Sequence, residues 1–270
     1  MNGVHKKILL LVAGISLLVS VNDIMSAIID SNYLLEPQIT VSTKLNDVSQ
    51  SDIESVKKET RKALTSIPPI LGIEYKKDIQ IKIVDYGICY AKGDIVTVPI
   101  SHVRDKSAAI IHEVTHIIAK HEDNSFFSEG LAVYFQERFG EFHGFPNYSV
   151  PLDDLVRNHK DQLLQIPKLK SHNKIFRQVE TERRRIAYIE AGSFINFLVV
   201  KYGEQKLAEL HNSRSLNYKQ VYGKEIEKLE VEWKNYVLGN PLMKKLKSTY
   251  LLYILTENPF INSQHAGKKS

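Results

Sequence analysis

The spacing of hydrophobic and polar residues predicts strands in the first part of the chain. Residues 78–86 alternate apolar and polar positions, as a strand with one buried face does, and residues 38–44 also predict a strand. Residues 94–100 form a third, mostly apolar candidate. Pro99 lies within it and cannot donate a backbone hydrogen bond, so the pattern places this strand at an edge of the sheet.

A helix is predicted between the first two strands, over residues 49–67. Ser51 is suited to cap its amino terminus, and Glu54 follows three residues later as the second half of a capping box. Pro68 and Pro69 would then end the helix, because proline cannot donate the backbone hydrogen bond that continues it.

From about residue 105 onward the pattern is mainly helical. Because strands come first and helices later, the fold class is α+β, with a small mixed sheet followed by a mainly helical part. We expect one domain over residues 35–256, divided into an α/β lobe (35–121) and a helical lobe (122–256), and a frayed tail over 257–270. The predicted helices cover residues 105–120, 126–139, 151–164, 177–202, 204–212, 223–238 and 241–255.

The amino terminus has the pattern of an export signal. Lys6 and Lys7 precede residues 8–21, an uncharged and largely apolar run that is short for a full membrane span. Residues 25–27 (MSA) are a poor cleavage site, so residues 1–27 are either a signal peptide or an uncleaved membrane anchor. We therefore expect an exported protein, secreted or held at a bacterial cell envelope, with possible membrane association through residues 8–21.

Charge and cysteine content bear on two kinds of function, nucleic-acid binding and metal binding through cysteine. The net charge is +5 over 270 residues, and the densest basic run, Arg183 to Arg185, lies beside Glu180 and Glu182 on a predicted helix. This pattern is typical of a solvated helix face, so we expect no nucleic-acid partner. Cys89 is the only cysteine, which excludes an intramolecular disulfide and a cysteine-based zinc site.

One predicted helix carries residues that can bind a metal. In the segment HEVTH, His112 and His116 are four residues apart and fall about 40° from each other around the helix axis. Glu113 lies about 100° from His112, and the opposite face is apolar. Two imidazoles on one face can reach a single zinc ion at about 2.0–2.1 Å, whereas burying them unpaired would be costly. The alternative is a buried helix whose histidines are satisfied by hydrogen bonds.

A third ligand is needed, and two sequence patterns compete for it. Metzincin-like sites have a glycine three residues after the second histidine and a ligand three residues later, but this chain has Ala119 and Glu122 there, and His121 is one residue out of phase. Glu129 is better placed, because a polar turn and a returning helix can bring it opposite the two histidines. Glu129 as a surface carboxylate remains the alternative.

These motifs resemble a known family. HEVTH, followed by SEGLAVYF at residues 128–135, is similar to the gluzincin metallopeptidases, particularly the small bacterial peptidase MA-like group. The resemblance covers about residues 75–239, since residues 187–210 and 222–239 are similar to later helices of that group. It implies a zincin-like fold and one Zn²⁺ per chain. His112, His116 and Glu129 would be the zinc ligands, with Glu113 as the general base.

The resemblance also suggests a second catalytic residue. Related aminopeptidases use a tyrosine on a later helix, shortly before a glycine, to stabilise the oxyanion. Tyr188, ahead of Gly192, is the nearest match, although the spacing is one residue longer, so a core tyrosine is the alternative. The glycine-rich motif by which aminopeptidases bind a peptide amino terminus is absent, which leaves endopeptidase and exopeptidase activity open.

The sequence thus predicts a zinc-dependent peptidase that acts on a peptide or protein substrate. Its predicted edge strand could pair with an extended peptide, and the alternative is an edge that pairs with nothing and is protected by Pro99. One alternative is a zincin-like extracellular binding module without activity, which the intact Glu113 argues against. Another is a basic envelope-binding domain that holds no metal. The sequence does not indicate an oligomeric state.

Overall fold

The computed structural model describes residues 36–121, 124–171, 173–177 and 181–239. Within these ranges no helix is both long and apolar enough to cross a membrane. The predictions made for residues 1–27, for the helix at 241–255 and for the tail at 257–270 lie outside the described residues.

Four strands form one mixed sheet, in the order β1-β2-β4-β3. β1, β2 and β4 run parallel, and β3 pairs antiparallel with β4 through a tight hairpin. The buried residues of β2 alternate with exposed ones, as its sequence predicts. The strands are β1 (Ile39–Thr43), β2 (Ile79–Val84), β3 (Tyr90–Lys92) and β4 (Ile95–Pro99).

The predicted edge position of the third strand is wrong. β4 lies between β2 and β3, so the edge on that side of the sheet is β3, a strand that the sequence did not predict. Pro99 is tolerated because it is the last residue of β4, opposite Val84, where a missing N–H does not interrupt the ladder. β3 has only three residues, too few to produce a recognisable alternation.

The first described helix, α1 (Gln50–Leu71), differs from its prediction at both ends. Its cap is Ser49, not Ser51: the Ser49 hydroxyl accepts from the Asp52 N–H, and the Asp52 carboxylate accepts from the Ser49 N–H. At the other end α1 runs through Pro68 and Pro69 to Gly72. The two proline carbonyls still accept hydrogen bonds from the residues after the helix, so the prolines lie in its last turn without ending it.

The remaining described elements are mainly helical, which confirms the α+β class. The predicted helix at 105–120 begins only at Ile110, because residues 105 and 106 form a turn in which Lys106 has a φ of 57°. The predicted helix at 177–202 begins at Glu182, after the Thr181 cap. The helices are α2 (Ile100–Arg104), α3 (Ile110–Ala119), α4 (Ser125–Phe139), α5 (Leu152–Asn158), α6 (Ile166–Ser171), α7 (Glu182–Tyr202), α8 (Glu204–His211), α9 (Tyr218–Tyr222) and α10 (Ile226–Leu238), with 3-10 turns at Lys160–Gln162 and Asn173–Arg177.

The HEVTH helix lies in the middle of the core. α3 packs between α1 and α4 and also contacts the sheet, and α4 packs closely along α7. Two glycines permit that close approach: a Cβ on Gly130 would lie 2.8 Å from the Ala191 carbonyl oxygen, and one on Gly192 would lie 2.5 Å from Val133. The α4–α7 contact therefore fixes residues 129 and 188 relative to each other.

Candidate metal centre

The first part of the site is α3, which is buried on almost every side. Of its ten residues only His116 is not fully buried. Its position against α4 is fixed by Gln136, whose side-chain oxygen accepts from the His112 N–H at 3.0 Å and whose amide donates to the Phe142 carbonyl at 2.8 Å. The two histidines therefore project from a rigid element and not from a loop.

The second part is α4, which returns along α3 after a turn. α3 ends at Lys120, which adopts the left-handed conformation with a φ of 53°. Asn124 then caps α4, its side chain accepting from the Phe127 N–H at 3.0 Å. This reversal brings Glu129, on the first turns of α4, opposite the histidines, as the sequence predicts.

The three predicted ligands converge on one point. Nε2 of His112 and Nε2 of His116 lie 3.2 Å apart, and each lies 3.2 Å from Oε2 of Glu129. Within the part of the chain that the structure describes, these residues form the one group of three or more His, Cys, Asp or Glu residues arranged to hold a metal ion. Their side chains are 7%, 24% and 17% exposed, so the centre is largely buried with an opening on the His116 side.

This triangle fits zinc. Donors about 2.0–2.1 Å from a tetrahedral ion lie about 3.3 Å from one another, close to the observed separations. Oε2 of Glu129 has no hydrogen-bond donor in good geometry despite its burial. A bound cation would satisfy this oxygen, whereas leaving it without a partner costs free energy.

Ser128 orients one of the histidines. Its hydroxyl lies 3.0 Å from Nδ1 of His116, the ring nitrogen that faces away from the centre. A partner at Nδ1 fixes the ring and leaves Nε2 free for a metal. His112 differs, because its Nδ1 is buried without a hydrogen-bond partner among the described residues.

The electrostatics of the group favour an ionised carboxylate. Burial alone would raise the pKa of Glu129, but the imidazoles of His112 and His116 hold this pKa well below its usual range. Burial alone would lower the pKa of His116, but the Glu129 carboxylate outweighs it, so that the pKa of His116 is raised. The centre therefore presents a negative carboxylate to any bound cation.

Glu113 lies beside the group and does not belong to it. Its side chain has no hydrogen bond or ion pair with another described residue, and it is 9% exposed. Its negative charge acts on the group, where it adds to that of Glu129 in raising the pKa of His116. It also acts on Cys89, just before β3, whose pKa is raised to about 12 by burial together with the charges of Glu113 and Asp105. Glu113 is thus a carboxylate free to interact with a water or substrate next to the triangle.

Tyr188 reaches the same centre from α7. Its ring stacks on that of His112, with 6.2 Å between centroids, and it is 5% exposed. The hydroxyl donates to the Phe176 carbonyl at 3.3 Å and accepts from Arg184 at 3.3 Å. Burial and the nearby Glu129 carboxylate raise the pKa of Tyr188 above its usual range, so the hydroxyl keeps its proton. Tyr188 thus packs against one of the three predicted ligands.

The basic run on α7 is not simply a solvated face, because one of its residues, Arg184, contacts Tyr188, and the sequence did not predict this contact. Arg184 is half-buried, with its guanidinium 5.2 Å from the Tyr188 ring centroid, and Arg185 donates to the Pro146 carbonyl at 2.9 Å. Only the spacing of four residues between Arg184 and Tyr188 on one helix could have indicated this contact.

The structure does not bring His121 into the group. Nε2 of His121 lies 2.7 Å from Nδ1 of His211, on α8, so these two histidines form their own pair. Glu122, the other residue considered for a metzincin-like site, lies outside the described residues. The structure brings the three predicted ligands together and packs the Tyr188 ring against His112, while the roles predicted for these residues and for Glu113 stay predictions.

A small mixed sheet, a central helix with two histidines, and a glutamate from the returning helix define the class of zincin-like peptidase domains. Residues 79–239 match the family model of the Peptidase MA superfamily, and the chain belongs to that superfamily. Comparison with curated proteins gave no match, and neither did comparison with solved structures.

Proposed function

We propose that this protein is a zinc-dependent peptidase of the gluzincin type, with His112, His116 and Glu129 as the zinc ligands. The observation that carries the proposal is the triangle of donor atoms, each 3.2 Å from the other two, beside an unpaired glutamate. A pure binding site has no use for a base next to the metal. Membership of a peptidase superfamily supports the same conclusion.

Zinc at this centre would supply an activated water and polarise the scissile carbonyl. Glu113 takes the proton from the attacking water and transfers it to the leaving amine, acting first as general base and then as general acid. Its side chain is suited to this role because no described residue holds it in a hydrogen bond or ion pair.

Tyr188 stabilises the negative charge that develops on the carbonyl oxygen. Because burial keeps its hydroxyl protonated, Tyr188 is a hydrogen-bond donor throughout the working pH range. Arg184 lies against the same hydroxyl and positions it. In this arrangement the Tyr188 proton leaves its bond to the Phe176 carbonyl and turns toward the substrate.

The substrate is a peptide or protein. A groove of about 650 Å³ opens beside His116 and Glu129 and is also lined by Ala91 and Gly93 of the β3–β4 hairpin. β3 is one of the two edge strands of the sheet, and its outer side has no strand partner among the described residues. An extended peptide in the groove could therefore pair with β3, in the role first predicted for residues 94–100.

We further propose that the protein is exported, on the strength of Lys6, Lys7 and the apolar run that follows. Residues 35–256 are proposed to act as one catalytic domain.

The test begins with metal content. Protein lacking residues 1–27 should hold about one zinc per chain by elemental mass spectrometry after gel filtration, and the His116→Ala variant should hold little. Zinc-loaded protein should then cleave a fluorogenic peptide library, and the Glu113→Gln variant should not. No zinc after incubation with Zn²⁺ would disprove the metal site, and zinc without turnover would favour the inactive binding module.

A further inference from the structure

We infer that the groove beside the metal centre selects acidic peptides, whose Asp or Glu side chains bind Lys77, Lys120 and Arg177. This inference rests on the proposed peptidase function and names its substrate class. Nothing in the motif HEVTH or in Glu129 requires such a preference, since it arises from side chains outside the catalytic group.

The three cations line the same groove as two of the proposed ligands. Lys77 precedes β2, Lys120 follows α3, and Arg177 ends the 3-10 turn after α6, so three separate parts of the chain bring positive charge to one place. His116 and Glu129 lie on the wall of this groove. A bound peptide therefore meets these cations within a few residues of its scissile bond, since an extended chain advances about 3.3 Å per residue.

None of the three cations forms an ion pair within the described residues. Other basic residues do so, such as Arg138 with Glu204 and Lys224 with Glu232. Charges that no described carboxylate neutralises are available to a ligand in this part of the chain.

The described lining of the groove carries little negative charge. Asp94 is its one carboxylate besides Glu129, which faces the metal centre. With Glu129 set aside, the three cations and Asp94 give the groove a net charge of +2. A bound metal ion would make the groove more positive. A groove of one dominant sign attracts ligands of the opposite sign and speeds their association.

Lys120 lies where α3 ends, in the left-handed conformation with a φ of 53°. A positive charge at a helix carboxyl terminus is favourable in itself. The same residue lines the groove, so its ammonium group is also within reach of a ligand there.

A peptide fits better than a nucleic acid or polyphosphate. Ala91 and Gly93 of the edge hairpin form part of the lining, and a sheet edge offers backbone N–H and C=O groups that suit another extended peptide. Phe, Tyr and Trp side chains, on which bases stack, are lacking among the described lining residues.

The test measures binding in a protein that cannot cleave. The Glu113→Gln variant, with and without zinc, is titrated by fluorescence anisotropy against three labelled peptides of one length. They share a central sequence and differ only in flanks of Glu and Asp, of Gln and Asn, or of Lys. We expect the acidic peptide to bind at least about tenfold more tightly than the neutral one at low salt, and the difference to shrink as salt screens the charges.

Matched variants locate the effect. Each of Lys77→Gln, Lys120→Gln and Arg177→Gln should weaken binding of the acidic peptide by roughly two- to fivefold, as expected for exposed charge pairs. The triple variant should lose most of the preference. A control that removes the same charge from exposed positions outside the groove, Lys44→Gln, Lys82→Gln and Lys228→Gln, should retain it. Circular dichroism would show that both triple variants are folded.

Several outcomes would overturn the inference: equal binding of all three peptides, equal losses in the two triple variants, or tighter binding of single-stranded DNA or polyphosphate than of the acidic peptide. Its failure is separable from that of the proposed function. Cleavage by the zinc-loaded wild type without a charge preference removes the inference and leaves the peptidase. Charge-selective binding by a protein that cleaves nothing removes the peptidase and leaves an acidic-peptide site.

Discussion

The Ser128 hydroxyl lies 3.0 Å from Nδ1 of His116, on the side of the ring that faces away from the metal centre. Ser128 directly precedes Glu129, so one turn of α4 supplies both a proposed ligand and the group that orients another. This contact ties the tautomer of His116 to the position of α4.

Replacing this serine should weaken metal binding without unfolding the protein. We expect Ser128→Ala to lower zinc affinity by about 10- to 100-fold, the usual cost of losing a residue that orients a ligand. Competition with a chromophoric chelator measures this. Ser55→Ala, which removes a hydroxyl from the exposed face of α1, is the control and should have no effect. Unchanged affinity in Ser128→Ala would contradict the orienting role.

Removing the proposed base should separate metal binding from catalysis. The Glu113→Gln variant keeps the shape of the side chain but cannot accept a proton, so kcat should fall by about 10²- to 10⁴-fold while zinc content stays near one per chain. Steady-state kinetics measures kcat, and elemental mass spectrometry measures the zinc content. Glu227→Gln, at an exposed position of α10, should match the wild type. Near-normal turnover in Glu113→Gln would remove Glu113 from the mechanism.

Tyr188→Phe distinguishes a transition-state donor from a core tyrosine. The ring contacts with His112 and Phe176 would remain, and only the hydroxyl would be lost. If the hydroxyl stabilises the oxyanion, kcat should fall by about 10²- to 10³-fold with little change in KM or in melting temperature. A lower melting temperature with normal kcat would instead assign Tyr188 a structural role.

The α4–α7 contact should tolerate no added methyl group. A Cβ at Gly130 would meet the Ala191 carbonyl at 2.8 Å and Ile195 at 2.9 Å, and backbone atoms cannot yield as a flexible side chain can. We expect Gly130→Ala to lower the free energy of unfolding by about 1–3 kcal/mol. Because Glu129 is adjacent, zinc affinity should fall as well. Urea denaturation of the metal-free protein measures the change in the free energy of unfolding. An unchanged midpoint would show that α4 and α7 can move apart without loss of stability.

Glu190 should make stability depend on pH. Burial raises its pKa to about 8, and although Oε1 accepts from the Leu164 N–H at 2.6 Å, Oε2 is buried without a partner. Between an unfolded pKa near 4.5 and the folded value near 8, the folded state binds more protons than the unfolded state. The stability that this carboxyl contributes is therefore full below about pH 4.5 and is lost as pH rises through 8.

We expect Glu190→Gln to be more stable than the wild type above pH 8, with a difference on the order of a few kcal/mol that disappears toward pH 5. Chemical denaturation at several pH values measures this, with Glu227→Gln as the exposed control. A pH-independent difference between the two proteins would mean that Glu190 is ionised in the folded state.

Local pattern predicted most of what lies on one element. The alternation in β2, the class of the fold and the shared face of His112 and His116 all follow from spacing along a single strand or helix, which needs no knowledge of distant contacts. The approach of Glu129 could also be anticipated, because a polar turn followed by a helix allows few paths back to α3.

Contacts between distant segments decided the rest. The order of the strands depends on which strands pair with β4. Pro99 alone could not show that a three-residue strand, β3, would pair with the side of β4 that was expected to be an edge. The contact of Arg184 with Tyr188 depends on burial that a run of arginines does not indicate. The convergence of Lys77, Lys120 and Arg177 joins segments that have no periodic relation in sequence. Sequence determined which residues could bind a metal, because that depends on side-chain chemistry and helical period. The tertiary structure decided what surrounds the candidate metal centre, because the residues that line the groove come from separate elements and lie together only after the chain has folded.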